Sequence, residues 1–257
     1  VSMFESGSME GDDSSCAAYM DCILGRGPKY VFKNAKLRKY FKEVSMHSYW
    51  SGADTKKNAE NYLSDKYSKY SVAATEYCQM TDDKNTGVYD LIAKEKNGTN
   101  GTSIKYGVAM ANTIVDDLTI MNVNEWDWWT ACSYGTYTDG LIYLDEDNHE
   151  NLDFSKRYYC LGNFSKFIKE GAVRVACSSG VKNVRSVAFV NEDNTVVTVY
   201  VNNNDKKAYT TIDCEGDYAV YTTDRDNDIA KTDFGKAKKV KVSLPASSVV
   251  TVVYEAK

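Results

Sequence analysis

Residues 71–80, SVAATEYCQM, end a run of small residues on a carboxylate, Glu76. Small residues fit a strand buried inside a sheet, so the residue closing the run meets the loops at a rim that a substrate can reach. A carboxylate held there can act as a nucleophile and form an ester with its substrate. Other segments end in the same fashion. Residues 43–50, EVSMHSYW, alternate so that Ser45, His47 and Tyr49 share a face; residues 120–129 read as a strand with Trp126 and Trp128 together and Trp129 turned toward the helices; residues 1–7 close near Glu5. Carboxylate, imidazole, phenol and indole gathered at strand ends suit a sugar, whose hydroxyls need hydrogen-bond partners and whose C–H face packs on aromatic rings.

Helical spacing lies between these strands. Ser14 can cap a helix over residues 14–24, residues 34–41 form another turn or two, Ala59, Tyr62 and Leu63 line one face of residues 55–63, and Val108, Ala111 and Val115 do so in residues 104–118. Residues 155–168 close the series. Strand and helix alternating in this way predict parallel pairing, and in a closed barrel of that type the active groups lie at the carboxyl ends of the strands. From Val173 onward β-branched runs take over, at residues 184–190, 195–201, 208–214, 218–222, 238–244 and 248–254, with polar turns at 191–194 and 202–205. These predict a small antiparallel β-sandwich, placing one domain over residues 1–168 and a second over 169–257. The sandwich could bind carbohydrate or simply pack on its neighbour, and the absence of Trp from it argues for packing.

Composition excludes several classes. The net charge is -5, from 31 basic and 36 acidic residues, and no basic cluster exceeds Lys238-Lys239, which argues against nucleic acid. No apolar run approaches the roughly 20 residues of a membrane span. Seven cysteines, at 16, 22, 78, 132, 160, 177 and 214, form no C-x-x-C pair and there are two histidines, so no metal or other cofactor is expected and most of the thiols should be buried and free. Cys78, two residues past Glu76, has no spaced base to make it a nucleophile. Asn97, Asn100 and Asn163 lie in glycosylation sequons, and a packed helix around Asn163 argues against its use.

VSMHSYW at 44–50, VAATEYCQM at 72–80, NEWDWWTACSYGTYTDGLIYLD at 124–145 and RYYCLGNFSKFIKEGAVRV at 157–175 resemble the sixth, seventh and eighth barrel strands and the final helix of glycoside hydrolase family 30. The endo-β-1,6-galactanase branch is the most similar. The resemblance implies a retaining enzyme with a (β/α)8 barrel and a β-sandwich side domain, of which this chain holds strands five to eight and the sandwich. A whole barrel takes about 250 residues, and residues 1–168 provide about half of one, so the first four strands are expected upstream of Val1, in the missing N-terminal half. The resemblance makes Glu76 the nucleophile, Tyr49 its hydrogen-bond donor and Trp128 the platform for a pyranose. His47 and Trp126 are each either a substrate-binding residue or part of the barrel core, Glu5 is a substrate-binding candidate at its strand end, and Asp139 and Tyr137 are further candidate contacts.

The family's acid/base Glu follows an Asn on the fourth strand, and nothing here matches it. Asn124-Glu125 falls within the eighth strand, with Glu125 facing away from Trp126, and Asn191-Glu192 falls in a hairpin turn. The chain alone is therefore expected to lack turnover. No cationic clamp for a uronate stands out, although Arg174, Arg185 and Arg225 are available. The implied partner is a polysaccharide or oligosaccharide, and the implied location is outside the cell. A different family 30 specificity (β-1,6-glucanase, glucosylceramidase-like or xylanase), a non-catalytic sugar-binding fragment and a purely structural β-protein are the alternatives.

Overall fold

The computed structural model describes residues 2–9, 39–80, 82, 84, 102–135, 137–145, 147–148 and 150–255. The helices expected at 14–24 and across most of 34–41, the sequons Asn97 and Asn100, and Cys16 and Cys22 lie outside them. Two compact units are present, Val1–Ala93 with Asp116–Ala131, and Lys94–Val115 with Cys132–Lys257.

The first unit is built on a four-stranded sheet, β1 (Ser2–Ser6), β2 (Glu43–His47), β3 (Ser71–Glu76) and β4 (Glu125–Trp126), in sequential order and parallel throughout. Helix α1 (Ala53–Tyr67) connects β2 to β3. One sheet face is apolar: Val44, Met46 and Ala74 pack with Leu63 and Tyr67 of α1 and with Met121. Leu63 and Tyr67 are four residues apart and so share a helix face. The register places Glu43, Ser45, Ser71, Ala73 and Glu125 on the other face, which is polar or small.

Two β-bulges at the carboxyl ends set the site. β1 pairs Phe4 with Ser45 and then Ser6 with Met46, leaving Glu5 as the extra residue, while β3 pairs Ala74 with Met46 and then Glu76 with His47, leaving out Thr75. Strict alternation would turn Glu76 to the helix side with Ala74. The inserted Thr75 reverses the parity and brings Glu76 round beside His47.

The strand expected over residues 120–129 is mostly something else. Helix α2 (Ile104–Asp116) runs into a π-helical turn, Asp117–Met121, which ends at Asn122 with left-handed φ 56 and ψ 42. Asn tolerates that conformation, so the apolar Ile120 and Met121 finish a helix and β4 keeps two residues. The chain still follows β3, with N–H donations from Asn124 to Val72, Asp127 to Ala74 and Trp129 to Tyr77. β2 likewise stops at His47, and Tyr49 occupies the turn after it.

In the second unit, β5 (Cys132–Ser133), β6 (Ile142–Leu144) and β7 (Leu152–Phe154) form a small sheet anchored by Arg157 of α3 (Lys156–Ser165). Arg157 is fully buried, donating to the Gly140 carbonyl at 2.9 Å and the Tyr143 hydroxyl at 2.6 Å. A side chain at Gly140 would meet the Ser133 Cβ at 2.8 Å, so the close approach requires glycine. The main sheet has the order β12-β11-β13-β10-β9-β8, from β8 (Val173–Val175), β9 (Val184–Val190), β10 (Thr195–Asn202), β11 (Ala208–Thr223), β12 (Ala230–Leu244) and β13 (Ser248–Glu255). Residues 208–214 and 218–222, expected as separate strands, form one, bulged between Asp213 and Gly216. Only the part after the bulge pairs with β13, and the earlier part folds over, so that Ile212, Cys214, Val240 and Val242 pack on Val184, Tyr200, Val250 and Val252. The two layers of the sandwich thus come from one coiled sheet. Cys78, Cys160 and Cys214 are buried free thiols as expected, whereas Cys132 is exposed and Cys177 partly so.

Candidate active site

The carboxyl ends of β1, β2 and β3 bring Glu5, His47, Tyr49 and Glu76 together. The Tyr49 hydroxyl donates to Glu76 Oε1 at 2.9 Å, and the Cys78 thiol lies 3.6 Å from the same hydroxyl. His47 lies between two carboxylates, with Nε2 2.8 Å from Glu5 Oε2 and Nδ1 3.7 Å from Glu76 Oε1. Thr75 Oγ1 also donates to Glu5 Oε2, at 2.8 Å, so the two bulged residues bond across β2.

Glu5 is bent into the site at φ 46, an uncommon conformation for a non-glycine residue. Partial burial opposes its ionisation, but the hydrogen bonds from His47 and Thr75 outweigh this and hold the carboxyl below its usual range. Burial, with Cys78 and Glu76 alongside, raises the Tyr49 hydroxyl far above the ordinary tyrosine range, which keeps it a donor.

An aromatic wall adjoins these groups. Tyr77, fully buried, packs against Tyr49 at 5.7 Å, Trp126 at 6.1 Å and Trp128 at 5.9 Å between ring centres, and the two indoles lie 6.4 Å apart. Both tryptophans are half-buried. Trp129, expected to turn toward the helices, is 54% exposed.

Beneath the wall lies a buried ionic cluster that the sequence did not suggest. Asp117, in the π-helical turn, meets Lys56 Nζ at 2.7 Å and accepts from Ser48 Oγ at 2.6 Å and Trp126 Nε1 at 2.9 Å. Lys56 is 1% exposed and Asp117 0%. Lys56 and Asp117 are 61 positions apart in the sequence, and only the fold brings them together. Thr75 and Tyr77 were also missed. Tyr77 next to Glu76 was the one with a visible signal, a ring immediately beyond a strand end.

The remaining candidates belong to the second unit. Asp139 accepts from Ser133 at 2.7 Å, and Tyr137 is exposed. Arg225 pairs with Asp226, and the half-buried Arg185 reaches the Asn112 carbonyl. Asn163 is fully buried, with its amide on Thr223, which leaves no room for a glycan. Among the described residues, no cluster of His, Cys, Asp or Glu is arranged to hold a metal ion, and no helix is long and apolar enough to cross a membrane.

A parallel sheet with a tyrosine-held carboxylate and an aromatic wall at its carboxyl rim places this unit among the α/β proteins whose polar groups gather at the carboxyl ends of the strands. The chain is a member of glycoside hydrolase family 30: residues 9–143 match the O-glycosyl hydrolase family 30 model, and residues 171–252 match the family 30 β-sandwich domain. Its fold is similar to that of a family 30 subfamily 8 xylanase from Clostridium acetobutylicum, with a TM-score of 0.68 and 21% identity over 99% of this chain and 55% of that one. A conserved exported protein from Bacteroides fragilis has a TM-score of 0.76 and 24% identity over 96% and 54%. A family 30 endoxylanase from Clostridium papyrosolvens has 0.67 and 19% over 99% and 65%. The chain thus spans little more than half the length of the first two and 65% of the third.

Proposed function

We propose that the parent protein is a retaining glycoside hydrolase acting outside the cell on β-linked polysaccharide, with Glu76 as its nucleophile. The observation that carries this reading is the 2.9 Å hydrogen bond from Tyr49 to Glu76 at the carboxyl rim of a parallel sheet, beside the aromatic wall. In this reading β1 to β4 are barrel strands five to eight. Glu76 attacks the anomeric carbon and the departing oxygen takes a proton from a general acid; water then cleaves the glycosyl ester as that group acts as base. Trp128 and Trp126 receive the sugar ring, while His47 and Glu5 hold its hydroxyls.

Glu5 does not fit the acid role. An acid must keep its proton near working pH, and the bonds from His47 and Thr75 pull Glu5 the other way. In this reading the acid lies on a strand outside this sequence, in keeping with the share of the solved relatives that the chain spans. β-1,6-Galactan is the first substrate to test, on the resemblance of residues 126–143, with glucuronoxylan and β-1,6-glucan as alternatives.

The test is hydrolysis of these three polymers by the chain and by a form extended upstream through its parent locus, each with and without Glu76→Gln. Activity confined to the extended wild type is expected. Turnover by the short chain, or by an extended Glu76→Gln form, would overturn the assignment.

A further inference from the structure

The sandwich carries a second candidate binding surface, on the outer face of its sheet. Alternation and register place Asp217, Ala219 and Tyr221 of β11 on one face with Lys236, Phe234 and Lys231 of β12 and Val253 of β13, while Val220 and Val252 turn into the core. Helix α3 covers one end of this face, where Asn163 bonds to Thr223 and Thr251. Beyond the helix the face opens into a groove of about 420 Å³.

Its floor is small, at Ala219 and Val253, and its sides are aromatic. Phe234 is 69% exposed, so packing of the core does not account for a phenyl group there. Tyr221 is fixed by stacking on Phe167, with ring centres 4.5 Å apart. Lys231 Nζ lies 5.3 Å from the Phe234 ring and 5.7 Å from that of Tyr221, bringing an ammonium donor between the two. Asp217 and Glu255 add carboxylate acceptors.

An apolar partner would have to strip water from these charges, and the groove carries both signs, with Asp217 already paired to Lys236 at 3.2 Å and Lys166 Nζ 5.9 Å from the Tyr221 ring, so it offers no field of one sign to an ionic ligand. A neutral pyranose has what the groove lacks: an apolar C–H face for the rings and hydroxyls for the ammonium and carboxylates. We propose that this groove is a non-catalytic binding site for a neutral oligosaccharide chain, with Phe234 as its stacking platform. The ligand class is read from the groove itself and does not depend on the role of Glu76.

The test is affinity electrophoresis of the Glu76→Gln chain through gels containing β-1,6-glucan, neutral xylan or polygalacturonate. Retardation by a neutral polymer is expected, weakened about tenfold by Phe234→Ala, the loss of one stacked ring, and weakened also by Lys231→Ala, with thermal melting unchanged in both. Trp128→Ala should leave most of the retardation in place. Retardation unchanged by both groove substitutions, retardation by polygalacturonate alone, or none of the parent would overturn the proposal. Loss on Trp128→Ala alone would place binding at the Glu76 rim, refuting the groove site and leaving the proposed function standing.

Discussion

The Tyr49 hydroxyl is a donor to Glu76 that its surroundings keep from ionising. Tyr49→Phe removes the donor and little else, so kcat of the glycan-cleaving form should fall by about 10- to 100-fold while KM moves less, since the bond is to the reacting carboxylate. An unchanged kcat would show that Glu76 needs no help from Tyr49. Glu5 makes a prediction in acid. Its carboxyl is held below the usual range, so the stability it contributes is complete above the ordinary carboxylate pKa and is lost as pH falls through the lowered value. The melting-temperature gap between wild type and Glu5→Gln should be constant near neutrality and close in acid; a gap that widened in acid would mean that the fold does not favour the ionised Glu5 carboxylate.

At the scale of elements, the π-helical turn and α1 are joined through Asp117 and Lys56. Removing one partner leaves a buried charge, and Asp117→Ala should cost about 3–5 kcal/mol, read as a fall in melting midpoint. Trp126 also loses its indole acceptor, so its fluorescence should shift. Pairing Asp117→Leu with Lys56→Met should recover much of the loss; additive effects would mean the two groups do not interact. This cluster marks where the sequence stopped being legible. α1, α2 and the strands β9, β10 and β13 follow from periodicity, which is local. The bulges at Glu5 and Thr75 do not, because a one-residue change of register is decided by the neighbouring strand. The break expected between the strands at 208–214 and 218–222 is misjudged for the same reason. In the fold it is a bulge, with Gly216 at φ 148 beneath the Glu255 carboxylate. Glu76 was found as a strand-end carboxylate, yet the bulge that turns it to His47 was not.

For the whole molecule, the decisive feature is the pair of edge strands in the first unit's sheet. Among the described residues its order leaves β1 and β4 at the edges; β4 offers two residues and β1 five, so β1 is the edge more available to another strand. Opposing association are the acidic groups on the polar face. Burial, with Asp127 and Glu43 nearby, raises the Glu125 carboxyl above its usual range, so it takes up a proton earlier than an ordinary glutamate as pH falls. Charge repulsion between copies should then weaken first at this face. Light scattering of the 257-residue chain should therefore show a mass above that of one chain, rising as pH drops from 7 toward about 5 and rising likewise with salt, which screens the same charges. Glu125→Gln should show the increase already at neutral pH. A chain that stays monomeric and melts cooperatively throughout that range would mean that β1 and the polar face need no partner.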